Sequence, residues 1–294
     1  SLRRGDAGEA YSAELSGPDF GSYNFFAQAE LNRAVRLLTR GLLYVPGERV
    51  VGELRLARLG DLASVGPDCR QVHSALSPGA EGYPALWGHR SGEVRTILTS
   101  PNSRLSPRPG REAEAERLWS RAGRLLVAER QDLSSRRVFA VLLEERALSN
   151  VWWPVQAGGL EGELALWLNS TPGILLLLSR AVVTRGPWVK LKKGPLLDTP
   201  VLDVARLGRG EREALSSLLD EVGREEFRPL PEEFSSPRAR ERLDRGLLEV
   251  LGISADLSPL YEMLSADPML TWRPLQEARS RSQRTSPTSH LPSQ

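Results

Sequence analysis

The chain has 294 residues, 40% of them hydrophobic and 26% charged, which is enough apolar material for a buried core and suggests one large domain or one domain with a helical extension. Its 39 Lys and Arg against 37 Asp and Glu leave a formal net charge of +2, so overall charge is no argument for a nucleic-acid partner. One cysteine, Cys69, excludes an internal disulfide and fits a reducing cytoplasm.

The start, Ser1-Leu2-Arg3-Arg4, carries neither an initiator Met nor an apolar signal stretch, and is expected to be a cut from something longer. Asn24 can cap a helix that puts Leu31, Ala34, Val35 and Leu38 on one face, with Gly41 at its C-terminal cap. From Glu53 the spacing becomes strand-like, Leu54 and Leu56 flanking Arg55, and Leu59-Gly60-Asp61-Leu62 reads as a turn into a short helix. Residues 95–99, 124–129, 138–143 and 151–155 are expected as strands, because β-branched and large apolar residues cluster there between polar or Gly/Pro breaks. Residues 100–110, rich in Ser, Pro, Arg and Gly, are expected as a long exposed loop. The longest apolar run, residues 174–178, is too short to span a bilayer.

Beyond Asp203 the spacing is helical: Leu215, Leu218, Leu219 and Val222, then Leu243, Leu247, Val250 and Leu251 with Gly252 as a cap. Ser258-Pro259 opens a third helix toward Leu264. After Arg279 the Ser, Arg, Thr, Pro and Gln tail has little to bury and is expected to be disordered.

Bond chemistry finds no seat in these residues. Methylation of an adenine amino group needs a glycine-rich cofactor turn and an Asn/Asp-Pro-Pro-Tyr/Phe tetrad, whose polar side chain and prolyl carbonyl accept hydrogen bonds from that amino group. The chain has no Pro-Pro dipeptide, and Gly208-Arg209-Gly210 before a helix reads as a plain turn. A metal-dependent nuclease of the common type needs an acidic residue two positions before a lysine, where this chain has Trp188, Lys190 and Leu191. Three histidines and one cysteine give no zinc spacing, and neither Gly-x-Ser-x-Gly nor a Walker loop occurs.

DNA recognition asks instead for basic side chains on phosphates and planar or amide groups on base edges. Three stretches offer the mixture. One is Trp87-Gly88-His89-Arg90 with Arg95, Arg104 and Arg108, whose alternative is a solvated basic loop. A second is Arg136-Arg137 with Ser149-Asn150 and Trp152-Trp153; Asn150 can pair with an adenine edge or serve a turn, and one tryptophan is expected in the core. The third runs from Thr184 and Arg185 through Gly186, Pro187, Trp188, Val189, Lys190 and Leu191 to Lys192 and Lys193, and holds every lysine of the chain. Alternation puts Trp188, Lys190 and Lys192 on one strand face and Val189 and Leu191 on the other, so a buried row backs an exposed basic and aromatic row.

Taken in order, an apolar helix, Asn169-Ser170-Thr171, Thr184-Arg185-Gly186, Trp188, Lys-x-Lys-Lys and Pro200 within residues 151–203 resemble the second half of a DNA target recognition domain. Such domains occur in specificity subunits of type I restriction-modification systems and in the C-terminal halves of adenine-specific DNA methyltransferases. Leu59-Gly60-Asp61-Leu62 is similar to the turn that opens many of them, and RERLDRGLLEVLGI, residues 240–253, resembles a Leu-Asp…Leu…Leu-Gly signature near the end of large adenine methyltransferases. Asn169 and Ser170 read as the structural joint between two helices.

The resemblance spans residues 25–264 and implies an α/β (α+β) fold: a mixed-sheet target recognition domain over 53–205, a helical connector over 1–52, a helical segment over 206–278 and a tail over 279–294. It implies double-stranded DNA as partner and a methyltransferase domain, in cis or in trans, that uses S-adenosylmethionine outside this chain. The setting implied is a cytoplasmic restriction-modification or phage-defence system, with no membrane. A single recognition region, where a type I specificity subunit usually carries two, favours the C-terminal half of a single-polypeptide methyltransferase. The competing reading, favoured by the near-zero charge, is a non-catalytic scaffold that docks a defence complex through its helical part. Lacking both the cofactor turn and the tetrad, the isolated chain is expected to show no saturable S-adenosylmethionine binding in calorimetry; saturable binding would reopen Gly208-Arg209-Gly210 as a site.

Overall fold

A computed structural model describes residues 25–88 and 93–271. The expected cap at Asn24, the His89-Arg90 pair and the C-terminal tail lie outside those residues. Helix α1 (Ala29–Leu38) buries the expected stripe of Leu31, Ala34, Val35 and Leu38. Gly41, at φ +80°, turns the chain into β1 (Leu42–Tyr44), which pairs antiparallel with β2 (Val50–Glu53). After β3 (Leu56–Arg58), Leu59-Gly60-Asp61-Leu62 is itself one helical turn, α2 (Leu59–Leu62), where a turn before a helix was expected. Strand β4 (Ser64–Val65) leads to α3 (Cys69–Ala75), opened by a capping box between Asp68 and Gln71.

Next come β5 (Leu76–Gly79), β6 (Tyr83–Leu86), β7 (Leu98–Thr99) and β8 (Ser103–Pro107). Strand β8 corrects the loop expected over 100–110: it pairs antiparallel with both β5 and β6 and buries Leu105 completely. A strand with a single core-facing apolar residue among Ser, Arg and Pro shows no alternation to read. The strand expected over 95–99 shrinks to the two residues of β7. Helix α4 (Glu112–Trp119) precedes β9 (Gly123–Ala128), β10 (Arg130–Asp132), β11 (Ala140–Ser149) and β12 (Trp152–Gln156). Strand β11 outruns its expected span because exposed Glu144, Glu145 and Arg146 interrupt the apolar pattern where its register against β9 shifts.

Helices α5 (Glu161–Asn169) and α6 (Thr171–Ser179) follow, then β13 (Val182–Arg185), β14 (Trp188–Lys190), α7 (Lys193–Leu197) and β15 (Pro200–Leu202). The remainder is α8 (Arg209–Val222), α9 (Leu230–Ser235), α10 (Ala239–Val250), α11 (Ser258–Ala266) and α12 (Pro268–Thr271). Gly208-Arg209-Gly210 forms the start of α8, the Gly208 N–H donating to Glu211 Oε2 at 2.6 Å.

The main sheet is mixed, in the order β4-β12-β9-β11-β6-β8-β5, with β7 also on β11. Strands β6 and β7 run parallel to β11, and the other ladders are antiparallel. The fold is therefore mixed α/β. Strand β15 pairs with β3, so the two ends of the region expected as one domain lie side by side. The boundaries expected near 53 and 206 nevertheless fall inside one apolar cluster that extends from Phe26 to Leu270. Across that cluster the buried Asp267 carboxylate accepts the N–H groups of Ala27 and Gln28 at 3.0 and 3.2 Å, fastening α12 to the start of α1.

A buried polar network ties the sheet to the helices. Asn169 Oδ1 accepts from Phe139 N at 2.8 Å, and its Nδ2 donates to Ala140 O and Ala165 O at 2.7 and 2.8 Å, so the end of α5 is stitched to the start of β11. Ser170 caps α6, and Gly173 packs so closely that a Cβ there would lie 1.9 Å from Trp167 O. Arg240, fully buried, donates to the carbonyls of Asn169 and, at 2.9 Å, Arg137, while Phe227 and Phe234 cover its guanidinium. Asp244 accepts from Thr171 N at 2.7 Å, from Thr171 Oγ1 and from Tyr261 OH at 2.9 Å. Burial alone would raise the Glu233 pKa, yet backbone N–H donation from Arg228 and Arg240, together with the Arg240 charge, holds it below the usual range.

Burial moves Asp244 the other way, from 3.8 up to about 6, against the partial offset of Thr171 and Arg240. The folded protein then holds this proton more tightly than the unfolded chain, so the group's stabilising contribution is full below about pH 4 and is lost as pH rises through about 6. Between those pH values the parent should lose up to about 3 kcal/mol from this group, and Asp244→Asn should abolish that share of the slope. Urea unfolding of both proteins at several pH values measures the difference; identical slopes would show that Asp244 does not carry it.

Candidate nucleic-acid interface

The third candidate stretch forms part of a small three-stranded sheet, β10-β14-β13, built on the hairpin of β13 and β14. Its two-residue turn opens on Gly186 at φ +60°, the conformation that primed hairpin turns demand. Directly paired residues share a face. The register sets Arg130, Lys190 and Val182 in one row and Asp132, Trp188 and Arg185 in another, both on the outer face. Between them, on the inner face, lie Gln131, Val189 and Val183.

The expected alternation holds where it matters most: Val189 is 1% and Leu191 0% exposed, against 38% for Trp188. Thr184 Oγ1 donates to Trp188 O at 3.1 Å. The exposed Arg130, Arg185 and Lys192 side chains have no hydrogen bond or ion pair among the described residues. Lys190 is half-buried, with Nζ 3.0 Å from the carboxylate of buried Glu129.

Regular strand geometry stops at Lys190, and Lys192 stands at the start of α7. Lys193 Nζ donates to Val65 O and Gly66 O at 2.7 and 3.0 Å, and burial, aided by the neighbouring Arg121, lowers its pKa. Lys193 thus clamps α7 to β4: its ammonium, expected as a DNA contact, is held by two backbone carbonyls instead.

The second stretch lies behind the hairpin. Arg136, 2% exposed, donates to Arg130 O at 3.1 Å and Val138 O at 3.4 Å, and its guanidinium sits 5.0 Å over the Trp152 ring. Burial lowers its pKa to about 9, so it stays protonated at neutral pH. A phosphate cannot reach it; Arg136 braces the hairpin from within. Arg137, half-buried, donates to Phe227 O at 2.9 Å, and buried Asn150 accepts from Gly88 N at 3.1 Å. Trp152 and Trp153 are both core residues at 5% exposure, where one was expected, and Trp153 Nε1 donates to Leu191 O at 2.9 Å.

One edge of Trp152 lines a cleft with Trp87, Arg95, Thr96, Asn102 and Glu226. Exposed Arg95 pairs with Glu226 at 3.3 Å, and Asn102 holds Trp87 by its N–H and its carbonyl at 2.7 and 2.8 Å. The structure therefore brings Arg95 and Trp152 to one cleft, with buried Asn150 behind its wall, holding Gly88. It leaves Arg104, donating to Gly82 O at 3.0 Å, and Arg108, donating to His73 O at 3.0 Å, on the β8 side of the sheet. Sequence reasoning missed Arg130 and Asn102. Arg130 becomes visible only when β10 is seen to pair with β14, while Asn102 lies in the segment whose composition predicts a loop. Among the described residues no group of His, Cys, Asp and Glu could hold a metal ion, and no helix is long and apolar enough to cross a membrane.

No family model matches the chain, and no curated protein does. Solved structures similar to it include the following two. One is the type IIG restriction endonuclease BpuSI, at 14% identity and a TM-score of 0.48 over 74% of this chain and 31% of that one. The other is the HsdS subunit from Thermoanaerobacter tengcongensis, at 15% identity and a TM-score of 0.33 over 82% of this chain and 52% of that one. The chain spans about a third of the length of the first and about half of the second.

The two neighbouring lysines should part company on mutation. Lys193→Ala, which strips two backbone carbonyls of their donor, should cost about 1 kcal/mol of stability, whereas Lys192→Ala should leave the melting temperature unchanged. Thermal melts of the two variants decide it, and equal melting temperatures would remove the clamp.

Proposed function

We propose that the chain binds double-stranded DNA through the outer face of β13 and β14 and the adjoining cleft of Trp87, Arg95 and Trp152. In this reading it is the recognition part of a restriction-modification system acting in phage defence. It positions an adenine for a methyltransferase domain outside the chain, which uses S-adenosylmethionine in the cytoplasm. The observation that carries the reading is the hairpin face on which exposed Trp188 lies between Arg185 and Asp132, with Arg130, Arg185 and Lys192 free of any protein partner among the described residues. Buried Val189 and Gln131 back that face, and unpaired guanidinium groups on it suit phosphate oxygens. The motif order of residues 151–203 supports the same reading.

A second reading, a protein-docking scaffold, is favoured by the net charge of +2 and by the open edge of β13, where all four residues are exposed. Salt separates the two. Replacing Arg130, Arg185 and Lys192 by Ala should leave the fold intact and weaken binding to all duplexes alike. The slope of log affinity against log salt should flatten by up to ~2.7, at ~0.9 per lost phosphate contact. Parent protein that binds no duplex, or binds without salt dependence, would sink the DNA reading and favour the scaffold.

A further inference from the structure

Two neighbouring valines on β13 are almost equally exposed, Val182 at 47% and Val183 at 45%, but the register sets them on opposite faces of the hairpin. Val182 shares the outer face with Lys190, Arg130, Trp188 and Arg185; Val183 shares the inner face with Val189 and Gln131. We infer that Val182 packs against the 5-methyl group of a thymine in the major groove and so fixes that base, an inference that rests on the DNA reading proposed above.

The groove is about 12 Å wide and admits a two-stranded ribbon, and the thymine methyl is the apolar group on its floor. An aliphatic side chain offers no donor or acceptor, so among the base edges it complements this group. Charge agrees with the placement. Around Val182 stand Arg130 and Arg185, with no partner among the described residues, and Lys190, whose charge Glu129 offsets; Asp132 accepts from Ser134 N and Oγ at 3.0 and 2.6 Å and keeps its charge, so the cations of this face still outnumber the carboxylates. A polyanion is thus drawn to the face on which Val182 lies. Exposure alone would rank the two valines equal; facing makes Val182 the reader and Val183 a bystander.

The test selects duplexes from a randomised pool with the full chain, then replaces each thymine of the selected sequence by uracil, which removes the methyl group alone. At one position uracil should weaken binding by about 4-fold, the value of one buried methyl. Val182→Ala should bind thymine and uracil alike at that position, Val183→Ala should keep the discrimination, and neither should change the salt slope. The inference is overturned if uracil is tolerated everywhere, if no thymine is selected, if Val182→Ala still discriminates, or if both variants lose discrimination equally. It is also overturned if the parent sediments as a dimer that Val182→Ala dissociates, which would give the edge of β13 to a second copy. Salt-dependent binding without methyl discrimination defeats this inference alone, whereas absence of duplex binding defeats the DNA reading with it.

Discussion

Everything that presents a surface in this protein hangs on the seam where Asn169, Thr171, Arg240 and Asp244 meet. An amide at the end of α5 completes the hydrogen bonding of the first residues of β11, and the carbonyl of the same Asn169 receives the buried Arg240 guanidinium from α10. Asp244, one turn further along α10, then takes the N–H and hydroxyl of Thr171 at the start of α6. Charges placed in an apolar interior are costly unless geometry satisfies them, and here each is held by several partners. Such a seam adds little net stability over an apolar one of the same shape, but it tolerates one arrangement of α5, α6, α10 and β11.

That arrangement propagates to the surface by short steps. Arg136, close in sequence to β11, lies under the hairpin and over Trp152; Trp153 donates to the residue that follows β14; Glu129, beside β9, pairs with Lys190. The hairpin is therefore fixed at its base while its outer face remains in solvent, which is what a preorganised reading surface requires.

Legibility in the sequence followed the number of apolar residues per element. Helices α1, α8, α10 and α11 and strands β9 and β12 were readable because each carries several core positions at one period. Strands β8 and β10 were not, since β8 buries one leucine and β10 buries Gln131. The alternation around Trp188 assigned the faces correctly, Lys193 sharing the inward parity of Val189 and Leu191, but period alone could not foresee that the strand ends at Lys190, that Glu129 takes up the Lys190 ammonium, or that Lys193 closes on β4. Arg136 was misplaced for a related reason. A pair of basic residues in a polar turn reads as surface, and the burial of Arg136 depends on Trp152, sixteen residues further on. Asn169-Ser170-Thr171 and the RERLDRGLLEVLGI segment stand as separate motifs in the sequence; their meeting in one network is a fact of tertiary structure that no local pattern holds.

The Asp267 clasp on Ala27 and Gln28 has a topological consequence. Because a carboxylate near one end of the described chain caps the backbone near the other, residues 25 and 271 flank a single closed circuit of structure. A short linker could join them, and new termini could be opened at an exposed turn such as Gly158-Gly159 without unpairing a strand. The order of the elements along the chain is, in that sense, a cut made in a ring, and the packing of α1, α11 and α12 is indifferent to where the cut falls.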